Sequence, residues 1–168
     1  MLPSRALPRA AAVITAAGMM LTLSACGTVK VPPGPAASDP TCADVMIAVP
    51  PTLLELERTE TSSQATAAWG SGDDTIVMRC GVTPPAPSTD MCTTLEDADG
   101  VQVDWIVKQE EGEEIVQYTT YGREPAIDLT VPRSVAPDQP SAAALDLGQL
   151  ITRHIEATAR CIGPGDLP

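Results

Sequence analysis

The chemistry of this chain begins with a thiol. Leu23-Ser24-Ala25-Cys26 closes a short apolar run and matches a lipobox: Leu, two small residues, then the Cys whose sulfur accepts a diacylglyceryl group. An ordinary secretory cleavage site asks only for spaced small residues and is indifferent to cysteine. The tetrapeptide therefore predicts cleavage before Cys26 and lipid on its sulfur. Four cysteines follow: Cys42, Cys80, Cys92 and Cys161. An even count in an oxidising compartment predicts two disulfides. Three pairings are open. One joins Cys42 to Cys80 and Cys92 to Cys161. Its main competitor closes Cys80–Cys92 across a Pro-rich loop and leaves Cys42–Cys161. The chain has no CxxC, so a thioredoxin-like redox pair or a zinc ribbon is not expected.

Other reactive residue types are thinly spread. His154 is the lone histidine, and a general base needs a nucleophile and an orienting acid brought to it. Gly70-Ser71-Gly72 reads as a turn rather than a nucleophile elbow. Phosphate-loop, zinc-protease and dinucleotide motifs do not occur. Acids cluster at Asp97 and Asp99, and at Glu110, Glu111, Glu113 and Glu114. Asp97-Ala98-Asp99-Gly100 is a fragment of a calcium loop without its closing ligands. No metal and no cofactor is expected. Two arginines stand out: Arg79 inside an apolar strand pattern, and Arg123 after a Tyr121-Gly122 turn. With Trp69 they are read as a ligand patch for a small anion such as a carboxylate.

The elements around these residues divide the chain into four stretches. Residues 1–25 read as a lipoprotein signal peptide, with Arg5 and Arg9 ahead of an apolar core too short to span a bilayer. Residues 26–40 read as the lipidated Cys and a Pro-rich tether, which if extended reaches roughly 40 Å. Residues 41–163 read as one globular domain, and 164–168 as a tail. The formal net charge is −12, and losing Arg5 and Arg9 makes it more negative. Such a balance argues against nucleic acid, whose phosphates need Lys and Arg. It also disfavours an electrostatic hold on anionic lipid. There is no Phe and no Asn, and lysine is confined to Lys30 and Lys108, a composition that resembles GC-rich coding bias.

Within the globular stretch, Cys42, Val45, Met46 and Val49 fall at helical spacing after Thr41. Leu53, Leu54 and Leu56 read as a second apolar turn, and 59–66 as loop. Strands are expected over 75–82, 100–109, 114–121 and 126–131, with a hairpin turn at 110–113. Ser141 is placed to cap a long helix reaching about Ile162, with Leu147, Ile151, Ile155, Thr158 and Ile162 as its stripe. The expected fold is α+β: an antiparallel sheet of about four strands, with an N-terminal and a long C-terminal helix packed on one face and two disulfides.

Cys42, Trp69-Gly70, Arg79-Cys80-Gly81-Val82, Trp105, Tyr121-Gly122-Arg123 and Val131-Pro132 together carry a resemblance. The chain resembles a domain-of-unknown-function family of small exported lipoproteins from high-GC Gram-positive bacteria, over about 42–155. In that family a cysteine at the domain start accompanies the one in Arg-Cys-Gly. The resemblance thus implies Cys42–Cys80, and counting leaves Cys92–Cys161. It implies an envelope location and supplies no activity, cofactor or catalytic residue. The expectation is a lipid-anchored envelope protein, held to the outer face of the cytoplasmic membrane through Cys26. It would be a non-catalytic binding or interaction module rather than an enzyme. A hydrolase of envelope material and a purely structural lipoprotein are the alternatives.

Overall fold

In a computed structural model, residues 27–86, 90–109, 112 and 114–162 are described. The signal peptide, Cys26, parts of the 83–89 loop and the 110–113 turn, and the tail lie outside them. The element order is α1 (Pro40–Ala48), β1 (Thr52–Leu53), β2 (Leu56–Thr59), β3 (Thr66–Trp69), a 3-10 turn (Gly72–Asp74), β4 (Ile76–Val82), β5 (Met91–Glu96), β6 (Gln102–Lys108), β7 (Ile115–Thr120), β8 (Ala126–Pro132), α2 (Ala142–Asp146) and α3 (Gly148–His154). All eight strands join one sheet in the order β1-β2-β3-β4-β8-β7-β6-β5, with every pairing antiparallel.

This corrects the expected fold. The protein is mostly an eight-stranded antiparallel sheet, and its helices are short. Leu53, Leu54 and Leu56 form no helical turn. They belong to a hairpin whose two linking residues, Leu54 and Glu55, both have positive φ (47° and 65°). A two-residue hairpin loop matches strand twist only with such φ values, normally supplied by Asn-Gly or Gly-Gly. β3 was hidden because Thr66-Ala67-Ala68-Trp69 is buried on both faces and so does not alternate. β5 (Met91–Glu96) is an edge strand with a mixed exposure pattern.

The long C-terminal helix is also absent. The chain breaks at Leu147-Gly148 and leaves helical geometry at Ile155 (φ −128°, ψ 114°). Leu147, Ile151 and Ile155 are buried, but Thr158 and Ile162 are exposed. After α3 the backbone runs extended and bridges Arg123 through Ala157.

One face of the sheet carries the core. Ile76 and Met78 from β4, Val103 and Trp105 from β6, Val116 and Tyr118 from β7, and Ile127, Leu129 and Val131 from β8 pack there with Val45 of α1, Ile151 of α3 and Leu147 between α2 and α3. Trp105 meets Tyr118 edge to face at 6.1 Å. Asp39 caps α1 by accepting the Thr41 N–H at 2.8 Å, and Pro40 follows at the first helical position. The opposite face carries a polar rung across β4, β8 and β7. Arg79 donates to Asp128 through Nη2 at 2.5 Å and Nε at 3.2 Å, and Gln117 donates to the same oxygen at 3.1 Å.

Two disulfides close the fold. Cys42–Cys80 fastens α1 to β4, and Cys92–Cys161 fastens β5 to the segment beyond α3. The stretch read as tether is in contact with the body well before Thr41. Val29 exchanges backbone hydrogen bonds with Glu60 and Ser62, and Val31 is 5% exposed. Ala36 N–H donates to the Gly81 carbonyl at 2.8 Å. Gly81 sits at a bulge with φ 80°, where a Cβ would strike the Ala36 backbone. The glycine of Arg-Cys-Gly-Val is thus where this N-terminal strap crosses the sheet.

Candidate functional site

The best-formed cleft, about 440 Å³, lies where β5 and β6 meet the segment that follows α3. Such a volume falls within the range of small-molecule sites. Alternation along β6 puts Gln102 and Asp104 on the face opposite Trp105, and the register sets Thr94 of β5 across from Asp104. Thr94 Oγ1 donates to Asp104 Oδ1 at 2.5 Å, and the Cys161 N–H donates to Oδ2 at 3.1 Å. Asp104 therefore holds the far wall in place as well as lining the cleft.

The near wall comes from Tyr121-Gly122-Arg123, after β7. Tyr121 N–H donates to the Asp104 carbonyl at 2.8 Å. Gly122 has φ 67°, and a Cβ there would run into the Ala159 backbone. Without a side chain, its carbonyl accepts both the N–H (2.6 Å) and the hydroxyl (3.0 Å) of Thr158. This contact and the Cys92–Cys161 bridge hold residues 156–162 across the end of the sheet.

Arg123 is the unusual member. It lines the cleft and is only 6% exposed. Nη1 donates to the Ile155 carbonyl, while Nε is buried without a partner. Burial lowers its pKa, and the nearby Asp104 charge opposes that shift. A guanidinium remains protonated under such conditions. Arg160, exposed, lines the same cleft. The lining therefore carries two guanidinium groups against one carboxylate, in a chain with 22 acidic and 10 basic residues.

The expected patch of Trp69, Arg79 and Arg123 is not assembled as one site. Trp69 is fully buried, and its indole N–H donates to the Pro50 carbonyl at 3.0 Å. Arg79 is engaged by Asp128. Neither lines the cleft that holds Arg123. Cys42, Cys80, Cys92 and Cys161 are all in disulfides. His154 ends α3, and among the described residues its imidazole is in no hydrogen bond. Asp97 is an organiser of the β5–β6 turn: its Oδ1 accepts the Asp99 and Val101 N–H groups at 2.9 Å each. The Val101 N–H chiefly lowers its pKa, against a smaller opposing effect of burial. Among the described residues no group of three His, Cys, Asp or Glu is placed to hold a metal ion.

Asp104, Tyr121 and Arg160 were missed as site residues. Asp104 carried a signal, being a charge on the polar phase of the clearest strand pattern. Arg160 carried none, because its place depends on the chain turning back at Ile155. A larger and more open hollow of about 910 Å³ lies beside Val29, Val77, Ile115 and Thr130, rimmed by Asp73, Asp74 and Glu114.

A family profile described as "Protein of unknown function (DUF3515)" matches residues 5–160. No curated protein and no solved structure matches the chain.

Proposed function

The chain belongs to the DUF3515 family of proteins of unknown function, and from that footing we propose that it is an exported, lipid-anchored envelope protein. Its body acts as a non-catalytic binding module on the outer face of the cytoplasmic membrane. The observation that carries this reading is the cleft itself. It is walled by a cross-linked segment and lined by a buried arginine with an unfilled donor. Its ionisable lining is two arginines, one tyrosine and one aspartate that already accepts two hydrogen bonds. Such a set is built to hold an anionic or polar ligand rather than to move protons.

The lipobox at Leu23-Ser24-Ala25-Cys26 and the two disulfides support an extracytoplasmic address. Among the described residues no helix is long and apolar enough to cross a membrane. Lipid on Cys26 would supply the attachment, since two acyl chains suffice for stable anchoring. The docked strap sets the geometry of that attachment. With Val29 already bonded to the body, at most residues 26–28 separate the lipid from it, a reach of about 10 Å. The body then rests against the headgroups instead of standing away from them.

Fractionation of cells expressing Cys26→Ser tests the anchoring. The wild type is expected in the membrane pellet and the variant in the soluble fraction; membrane retention of the variant removes the lipid from the account. Incubation of the purified protein with envelope fragments tests the rest. Fragment binding without turnover is expected. Turnover that disappears in His154→Ala replaces the binding module with a hydrolase.

A further inference from the structure

Arg123, in the turn between β7 and β8, and Arg79, within β4, have guanidinium groups in different surroundings. Arg79 is partly exposed and is given a full carboxylate, Asp128. Arg123 is more deeply buried and is given one neutral carbonyl. Its Nε has no acceptor, and neither of the two ion pairs among the described residues involves it. A buried guanidinium costs several kcal/mol unless an anion and its hydrogen bonds compensate. Acids outnumber bases about twofold in this chain, so a protein partner was available in composition. The cleft instead places a second arginine, Arg160, on the same lining.

Asp104 offsets only one of these two charges, and among the described residues it makes no ion pair with Arg123. Both of its oxygens already accept hydrogen bonds, from Thr94 and from the Cys161 N–H. The cleft keeps one uncompensated positive charge, in a molecule whose overall charge is −12.

We infer that this cleft is a carboxylate-binding site: Arg123 and Arg160 grip the carboxylate of a small monoanionic ligand, while Thr94, Gln102 and Tyr121 face its uncharged polar remainder. This deepens the binding-module reading and rests on it. A planar guanidinium matches a planar carboxylate through paired hydrogen bonds. One net positive charge suits a monoanion. A dianionic phosphate would meet the Asp104 carboxylate with charge left over. The volume of about 440 Å³ accommodates a ligand of amino-acid to dipeptide size.

The test is an NMR titration of the full-length, oxidised, 15N-labelled protein in neutral detergent, following the Arg123 Nε–H signal. Three probes are used: N-acetylglycine, its uncharged twin N-acetylglycinamide, and inorganic phosphate. Saturable movement with N-acetylglycine and none with the amide is expected. The exposed Arg160 permits a variant that leaves folding intact. Arg160→Ala is expected to weaken N-acetylglycine binding about three- to fivefold, as for the loss of one exposed ion pair. Arg58→Ala, also exposed but outside the cleft, is expected to change nothing. Equal responses to acid and amide, tighter binding of phosphate, or no saturable response overturns the inference. Cleft signals that move with neutral envelope fragments but not with carboxylates overturn it while leaving the binding module standing. Silence toward every ligand removes both.

Discussion

Replacing Cys92 and Cys161 together by serine separates the stability of the sheet from the integrity of the cleft. The two cysteines are 69 residues apart. On a chain-entropy basis, releasing a loop of that length costs roughly 4 kcal/mol. Domains of this size are stable by about 5–15 kcal/mol, so the variant remains folded but marginal. The bridge lies at the sheet edge, and Cys92 pairs with Ile106, on the face opposite Trp105 and its contact with Tyr118. β5 retains its six-pair register with β6. Near-UV circular dichroism, which reports the packed tryptophans, is therefore expected to persist. What loosens is the segment 156–162, left with the Gly122–Thr158 contacts, the Arg123–Ala157 bridge and the backbone N–H of residue 161 on Asp104. Guanidinium unfolding followed by tryptophan fluorescence should show a lower midpoint. It should also show a steeper slope, because the uncrosslinked unfolded chain exposes more surface. Hydrogen exchange at the Thr158 amide should accelerate more than exchange in β8. A loss below about 1 kcal/mol, or collapse of the near-UV signal, would refute the assignment of this bridge to the edge rather than to the core.

Three further perturbations follow from the same structure. Asp128→Ala leaves the Arg79 guanidinium without its carboxylate in a half-enclosed place. It should cost about 3 kcal/mol by chemical denaturation, and Arg79→Met with Asp128→Leu should recover much of that. Gly122→Ala meets the Ala159 backbone at φ 67°, whereas Gly72→Ala at φ 61° meets nothing within 4 Å. Each pays about 1 kcal/mol for its conformation, so a larger loss of thermal stability at 122, with weakened carboxylate binding, isolates the contact. Asp97 is held below the usual carboxylate range, chiefly by the Val101 N–H. Its contribution to stability is present above the unfolded carboxylate pKa and is lost as pH falls through its lowered folded value. Carboxyl 13C titration should place its midpoint below 3.8, and Asp97→Asn should remove that acid limb from the stability profile.

The parts of this fold that were legible in the sequence are those decided by local pattern. β4, β6 and β7 alternate along most of their length, because one face of each meets the core and the other does not. β8 is enclosed more completely, but Ile127, Leu129 and Val131 still mark its core phase. The hidden strands are those whose signal is non-local. β1 and β2 are joined by Leu54-Glu55, residues that give no turn signal because their left-handed backbone is imposed by the hairpin. β3 is too small-residued and too buried to alternate. Arg123 was legible as a charge after a Tyr-Gly turn. Its partners were not, since Trp69 and Arg79 were grouped with it on residue type alone. Trp69 is consumed by Pro50 and Arg79 by Asp128.

The last error is the most instructive, because it hid the cleft. Glu156-Ala157-Thr158-Ala159-Arg160 is an ordinary helical stretch by propensity, and continuing α3 through it would satisfy its backbone internally. The observed chain abandons those bonds at Ile155 and takes other partners in their place. Thr158 N–H finds the Gly122 carbonyl, Cys161 N–H finds Asp104, and the Ile155 carbonyl receives Arg123. Every replacement comes from the Tyr121–Arg123 turn or from β6. The disulfide to Cys92 then makes the exchange hard to reverse. Two polar side chains that the core does not need, Arg123 and Asp104, are thereby committed to holding a segment whose one charged side chain on the cleft is Arg160. A helix would have been the cheaper way to finish the fold. Giving it up makes sense if the opening it creates is the part of the molecule that meets a ligand.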